Sequence, residues 1–111
     1  MNSTLLVLTS APDEPPAASC LALARNLREA GRDVELLLLQ DAVLLATLDR
    51  APGGVALDEL AGKGIRFLVL EDDLRLRGFG KADVRRSGEL VSYRTAVRRM
   101  AGEGTAVKGC F

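Results

Sequence analysis

The sequence offers few side chains that could bond covalently to a substrate, and its two cysteines stand out among them. The chain of 111 residues has two cysteines, Cys20 and Cys110, together with one tyrosine and no histidine or tryptophan. Without histidine, no serine or threonine has the base that usually activates it, so the common hydrolase triad is excluded. We therefore expect sulfur to carry any covalent chemistry of this protein.

Cys20 follows a Pro-rich loop, residues 11–16, and enters a stretch with helical spacing. A thiol near a helix N-terminus lies at the positive end of the helix dipole, which favours the thiolate. The same spacing places Cys20 on one apolar face with Leu23, Ala24 and Leu27, where a free cysteine serves as a small hydrophobic core residue. Both interpretations, a catalytic thiol and a packed one, stay open at this point.

Cys110 lies near the end of the sequence, in a stretch predicted to form a strand. One interpretation is a reactive, exposed thiol, since chain ends are often mobile. The other is the last inward-facing residue of that strand. Two cysteines are too few for a disulfide framework, and a reducing compartment disfavours a Cys20–Cys110 bond.

The charged clusters favour solvent-exposed faces or protein interfaces over ligand-binding sites. Glu71, Asp72 and Asp73 offer oxygen ligands for magnesium, but acidic residues also favour the first turn of a helix, and we prefer this second interpretation. The arginine clusters around residues 75–86 and 94–99 lack the interleaved aromatic residues of a base-stacking surface. They predict a solvated face or a protein interface. The glycines have no nucleotide-binding spacing, so we expect no cofactor, no resident metal and no direct nucleic-acid partner.

The composition is that of one compact domain spanning residues 1–111. Fifteen basic residues balance fifteen acidic ones, and this balance gives no overall attraction to nucleic acid or to an anionic membrane. A net charge near zero also removes one barrier to self-association. The apolar run Leu5 to Leu8 is too short for a signal peptide or a membrane span, so we expect a cytoplasmic protein.

Apolar runs and turn residues predict an alternation of strands and helices. Strands are predicted at residues 5–8, 34–39, 65–70, 90–91 and 105–111. Helices are predicted at 16–30 (ended by Gly31), 42–48 (capped by Asp41), 58–60, 74–77 and 93–101 (capped by Ser92), with a loop at 52–54. This order predicts an α/β fold with a parallel sheet and helices on both faces. Ligands bind such sheets beyond the carboxyl ends of the strands, where the loop before Cys20 lies.

Four segments together resemble a known family. They are Ser10 to Ala24, Leu36 to Val43, Leu68 to Phe79 and Val91 to Tyr93. In order and spacing they resemble the DsrE/DsrF/DsrH superfamily of sulfur-relay proteins, and within it the DsrH or TusB type. The resemblance implies a three-layer, flavodoxin-like domain with a mainly parallel five-stranded sheet. It also implies an oligomer, formed with related DsrE- or DsrF-type subunits or with further copies of the chain.

The resemblance also implies a function in sulfur transfer, in tRNA thiolation or in sulfur oxidation. Cys20 occupies the place where some DsrH-type subunits carry a cysteine, which implies that it accepts or passes persulfide sulfur, with a small sulfur-carrier protein as partner. The chain also departs from the family. It has no cysteine between Cys20 and Cys110, Ala42 replaces a glycine common after the Gln-Asp pair, the first helix is longer than in compact DsrH subunits, and Cys110 lies near the end where relatives often carry tryptophan. The alternative is a non-catalytic interaction subunit in which Cys20 is structural.

Overall fold

Strands and helices alternate along residues 3–47, 54–102 and 105–110, the part of the chain that the computed structural model describes. The strands are β1 (Ser3–Leu8), β2 (Asp33–Leu38), β3 (Arg66–Leu70), β4 (Gly88–Val91) and β5 (Thr105–Cys110). The α-helices are α1 (Pro15–Glu29), α2 (Gly54–Gly62), α3 (Glu71–Leu76) and α4 (Tyr93–Met100). Short 3-10 helices also form, at Gln40–Ala46 and Lys81–Asp83.

The strands form one parallel sheet in the order β4-β3-β2-β1-β5. The chain adds β2, β3 and β4 successively on one side of β1, and then returns to place β5 on the other side. Because crossovers between parallel strands are right-handed, the helices that precede this reversal lie on one face of the sheet and the helix that follows it lies on the other face. Accordingly, α1 and α2 pack on one face of the sheet and α4 on the other. The predicted α/β sheet with helices on both faces is confirmed.

Side chains that alternate along the strands build two hydrophobic cores. In β1, Leu6 and Leu8 face α1 and α2, whereas Leu5 and Val7 face α4. Because both faces are covered, the later residues of β1, β2 and β3 are apolar at successive positions, which explains the continuous apolar runs in the sequence. The larger core also includes Cys20.

Two predicted helix ends are confirmed in atomic detail. Gly31 has a φ of 87°, and its N–H bonds to the Arg28 carbonyl while the Arg32 N–H bonds to the Leu27 carbonyl. This is the double hydrogen bond of a Schellman motif, which ends α1. At the start of α4, the Ser92 hydroxyl accepts a hydrogen bond from the Thr95 N–H at 3.1 Å.

Other predicted boundaries need correction. Asp41 does not cap a helix, because its segment is a 3-10 helix that begins at Gln40 without a side-chain cap. Asp58 does not start α2 either, since that helix begins at Gly54. Within the described ranges, no helix has the length and apolar character needed to cross a membrane. Parts of three predicted segments lie outside the described residues. They are position 48 of the helix 42–48, positions 52 and 53 of the loop 52–54, and position 111 of the strand 105–111.

Candidate functional site

Cys20 lies in the second turn of α1, on the side of the helix that faces the sheet. Its neighbours Ala17, Leu21 and Ala24 are also buried, and only 1% of Cys20 is exposed to solvent. The influence of the helix dipole fades beyond the first turn. The position therefore gives Cys20 little of the N-terminal activation that its place in the sequence suggested.

The surroundings of Cys20 favour its neutral form. Burial raises the pKa of the Cys20 thiol above its ordinary value of 9.0, and the neighbouring Cys110 thiol raises that pKa further. A thiolate in an apolar environment loses its hydration, which is the dominant cause. Cys20 is therefore protonated at neutral pH, and the expected thiolate is not favoured.

Cys110 lies at the end of β5 and is the inward-facing strand residue that one of the two interpretations predicted. It stands beside Leu8 in the pairing of β5 with β1, is partly exposed, and packs against the core that contains Cys20. The two thiols, at opposite ends of the sequence, meet because β5 lies next to β1 and α1 packs over both.

Both cysteines line one cavity of about 340 Å³, which we call the cysteine cavity. Its lining contains no charged side chain and is formed by Pro15, Pro16, Ser19, Cys20, Leu23, Gly109 and Cys110. The cavity lies at the carboxyl ends of β1 and β5, where the strand order reverses. Parallel α/β sheets most often bind ligands at such a reversal.

A group of polar and charged residues lies at the carboxyl ends of β2 and β3. We call this group, Gln40, Asp41, Asp73 and Arg77, the acidic edge. Gln40 has a φ of 52°, and its N–H donates to the Asp73 carboxylate at 2.6 Å. Arg77 donates to the Asp41 carboxylate and to the Asp73 carbonyl, each at 2.9 Å. The polar groups of this edge therefore bind one another.

The acidic cluster of the sequence forms the first turn of α3, as the helix interpretation predicts. Glu71 pairs with Arg75 at 3.2 Å, and Asp73 is held by Gln40. Among the described residues, the structure contains no group of three or more metal-ligating side chains.

Several arginines expected on a solvated face or an interface make ion pairs within the chain. Arg85 binds Asp58 at 2.6 Å. On the other face of the sheet, Arg99 of α4 and Arg66 of β3 each bind Glu35 at 3.1 Å. Sequence reasoning missed these pairs because the partners lie far apart in the chain, and local charge patterns do not identify such partners.

The fold has been seen in other proteins. The protein of unknown function MTH1491 from Methanobacterium thermoautotrophicum superposes with a TM-score of 0.87 at 21% identity, covering 98% of this chain and 99% of that one. The YchN protein of E. coli gives a TM-score of 0.85 at 20% identity, with the same coverage. Protein Tm0979 from Thermotoga maritima gives 0.56 at 19% identity over 90% of this chain and 93% of that one. These identities establish a shared fold and nothing further.

A family comparison is more specific. No curated protein is similar enough in sequence to match the chain. The model of the family described as "DsrH like protein", however, matches residues 16–104. This range begins at α1, includes Cys20, and ends before β5 and Cys110. It confirms the resemblance inferred from the four sequence segments, and the chain belongs to the DsrH-like protein family.

Proposed function

We propose that this protein is a sulfur-relay component that accepts and passes persulfide sulfur at the cysteine cavity. Membership of the DsrH-like family supports a sulfur-relay function in general. The observation that carries the proposal for this chain is the meeting of Cys20 and Cys110 in one cavity where the strand order reverses. Thiols placed together at a favoured binding position suit the transfer of sulfur from one cysteine to another.

The transfer step follows ordinary thiol–disulfide chemistry. A thiolate of this chain attacks the outer sulfur of a donor persulfide, forming a new sulfur–sulfur bond. The bond between the donor's two sulfur atoms breaks, and the donor leaves as a thiolate. A partner thiolate then removes the sulfane sulfur by the same reaction, so no external oxidant or reductant is needed.

Cys110 is better placed than Cys20 to receive sulfur first. Its side chain is partly exposed at the cavity, whereas Cys20 is buried behind it. The nucleophile in such a transfer is a thiolate, and the raised pKa of Cys20 disfavours that form. We therefore assign first contact with the donor to Cys110, and we keep Cys20 as a second sulfur-handling residue.

The proposed partners are those implied by the family: DsrE- or DsrF-type subunits or further copies of this chain, and a small sulfur-carrier protein. Tyr93 and Val97 lie one turn apart on α4 and are exposed, to 66% and 41%. An exposed apolar pair on one helix supports contact with another subunit. The setting of the relay is a cytoplasmic pathway of tRNA thiolation or sulfur oxidation.

The proposal is tested by exposing the wild type, Cys20→Ser and Cys110→Ser proteins to glutathione persulfide. Each protein is alkylated within seconds, and the added sulfur is located by peptide mass spectrometry. We expect wild type and Cys20→Ser to carry added sulfur on Cys110, and Cys110→Ser to carry at least about tenfold less in total, because only Cys110 is accessible. Circular dichroism verifies that each variant is folded. If no cysteine in any of the three folded proteins gains sulfur, the proposal is wrong.

A second candidate function is a non-catalytic subunit, and the burial of Cys20 among Leu and Ala side chains favours it. In that case both cysteines are packing residues. A Cys20→Ala/Cys110→Ala variant would then assemble with partner subunits and support thiolation or sulfur oxidation in cells at the wild-type level. A sulfur relay through these thiols instead predicts intact assembly with loss of flux.

A further inference from the structure

We propose that Cys20 and Cys110 act as a resolving pair: Cys20 attacks a persulfide held on Cys110, releases hydrosulfide and leaves an intramolecular disulfide. This inference rests on the proposed function, because Cys110 must first accept the sulfur. It adds a second outcome for the bound sulfur, which leaves the protein as sulfide when no acceptor protein takes it.

The first support is the placement of the two side chains. Cys20 lies on the sheet-facing side of α1 and Cys110 at the end of β5, and both line the cysteine cavity. Both side chains also pack in the same hydrophobic core. Because the two cysteines line the same small cavity, the inner sulfur of a persulfide on Cys110, which is Cys110 Sγ itself, lies on the side of Cys20. Attack at that sulfur forms a disulfide, whereas attack at the outer sulfur would only move the persulfide.

The second support is the difference in exposure between the two thiols. Cys110 is partly exposed, whereas 1% of Cys20 is exposed. A donor molecule in the cavity therefore reaches Cys110, and Cys20 is shielded from it by the neighbouring side chains. The reaction partner that Cys20 can contact is Cys110. A shielded second thiol beside an accessible one is the arrangement that a resolving cysteine requires.

The reaction balances within the pair. The Cys20 thiol gives its proton to the outer sulfur of the Cys110 persulfide anion, and the resulting thiolate attacks the inner sulfur. A bond forms between the two Sγ atoms, and the bond between Cys110 Sγ and the outer sulfur breaks. The outer sulfur departs with the electron pair and the proton as hydrosulfide. The sulfane sulfur is reduced to sulfide, and the two cysteine sulfurs are oxidised to a disulfide.

The surroundings agree with this sequence of steps. Burial raises the pKa of Cys20, so its attack needs a proton acceptor close by, and the persulfide anion on Cys110 is such an acceptor. The cavity lining carries no charged side chain that would hold the departing anion by an ion pair. A free thiol in the medium can later reduce the disulfide and restore the pair.

The test loads wild type, Cys20→Ser and Cys110→Ser with glutathione persulfide, removes the donor, and follows sulfide release and intact mass over minutes. We expect wild type to release stoichiometric sulfide and to become lighter than the reduced protein by two hydrogens. Cys20→Ser should keep the persulfide and release sulfide at least about tenfold more slowly, because it lacks the attacking thiol. If Cys20→Ser releases sulfide at the wild-type rate, the inference is wrong. Cys20→Ala serves as a second variant in case buried serine impairs folding.

An independent arm measures whether the two thiols can join without any persulfide. Wild-type protein is incubated with oxidised glutathione, a disulfide oxidant, and digested without reduction. A peptide linked through Cys20 and Cys110 supports the resolving pair. If no linked peptide forms after Cys110 is fully oxidised, the resolving pair is ruled out. If the linked peptide forms but no sulfur is accepted from the donor, the proposed function fails while the dithiol pair stands.

Discussion

The cysteine cavity and the acidic edge lie at the same end of the sheet, yet their polar groups have different partners. At the acidic edge, Asp73 accepts the Gln40 N–H at 2.6 Å and Arg77 binds Asp41 at 2.9 Å. In the cysteine cavity the lining is uncharged, and Cys20 and Cys110 both contribute to it. The carboxylates join the 3-10 helix at Gln40–Ala46 to the α3 region, whereas the two thiols lie in one cavity without a charged partner.

This difference shows why a strand-end position does not by itself make a functional site. Both places lie where parallel sheets often bind ligands. At the acidic edge, the residues that could coordinate a ligand are engaged in contacts that stabilise the loops. At the cysteine cavity, Cys110 is partly exposed while Cys20 is buried beside it. Three measurements of stability test this difference between the two regions.

The largest expected effect is a loss of stability at high pH that depends on Cys20. The folded protein keeps the Cys20 proton because its pKa is raised above the ordinary 9.0, while the unfolded chain loses it above that pH. Stability therefore falls as pH rises, by about 2 kcal/mol at about pH 10.5 relative to neutral pH. Urea unfolding of wild type and Cys20→Ala across this range measures the effect. Parallel pH profiles for the two proteins would contradict it.

The next effect concerns the acidic edge. Asp73→Ala removes the acceptor of the Gln40 N–H, and hydrogen bonds to charged groups contribute about 1.5–3 kcal/mol when buried. Because solvent reaches this carboxylate and screens it, we expect a loss of about 1–2 kcal/mol in the free energy of unfolding. Asp72→Ala is the matched control, since Asp72 occupies the same helix turn and should change stability by less than about 0.5 kcal/mol. Equal losses in the two variants would mean that the hydrogen bond contributes nothing specific.

The smallest expected effect is a gain. Gln40 has a φ of 52°, a left-handed conformation that costs a residue with a side chain about 1–2 kcal/mol. Gln40→Gly relieves that strain but adds flexibility to the unfolded chain, so we expect a net gain of about 0.5 kcal/mol. Gln40→Ala keeps the strain and provides the control. A glycine variant no more stable than the alanine variant would show that backbone strain at Gln40 does not limit the stability of the protein.

Local signals predicted much of the fold. Continuous apolar runs identified the strands, Gly31 identified the end of α1, and Ser92 identified the start of α4. These features depend on neighbours in sequence. The sequence predicts Asp41 to be a helix cap because capping is also local, but its partner is Arg77, which directly follows α3. That pairing depends on how β2 and β3 align.

The candidate site could be predicted only in part for the same reason. The helical spacing correctly placed Cys20 on an apolar face, and the strand pattern allowed for an inward-facing Cys110. Their contact depends on β5 lying beside β1 and not beside β4. Hydrophobic periodicity gives the number of strands but not their order in the sheet. The burial of Cys20 was therefore one of two predicted outcomes, whereas its closeness to Cys110 was not evident from the sequence.

The pairing of β1 with β5 has a consequence for the order of folding. The register joins Ser3 to Thr105 and Leu8 to Cys110, contacts about a hundred residues apart in sequence, and such contacts form slowly because a long loop must close. Strands β1 to β4 can associate with their sequence neighbours earlier. Until β5 docks, one edge of β1 is unpaired and open to association with other chains. The thiol pair is therefore assembled late in folding, and slow docking of β5 would expose an aggregation-prone intermediate that has no sulfur site.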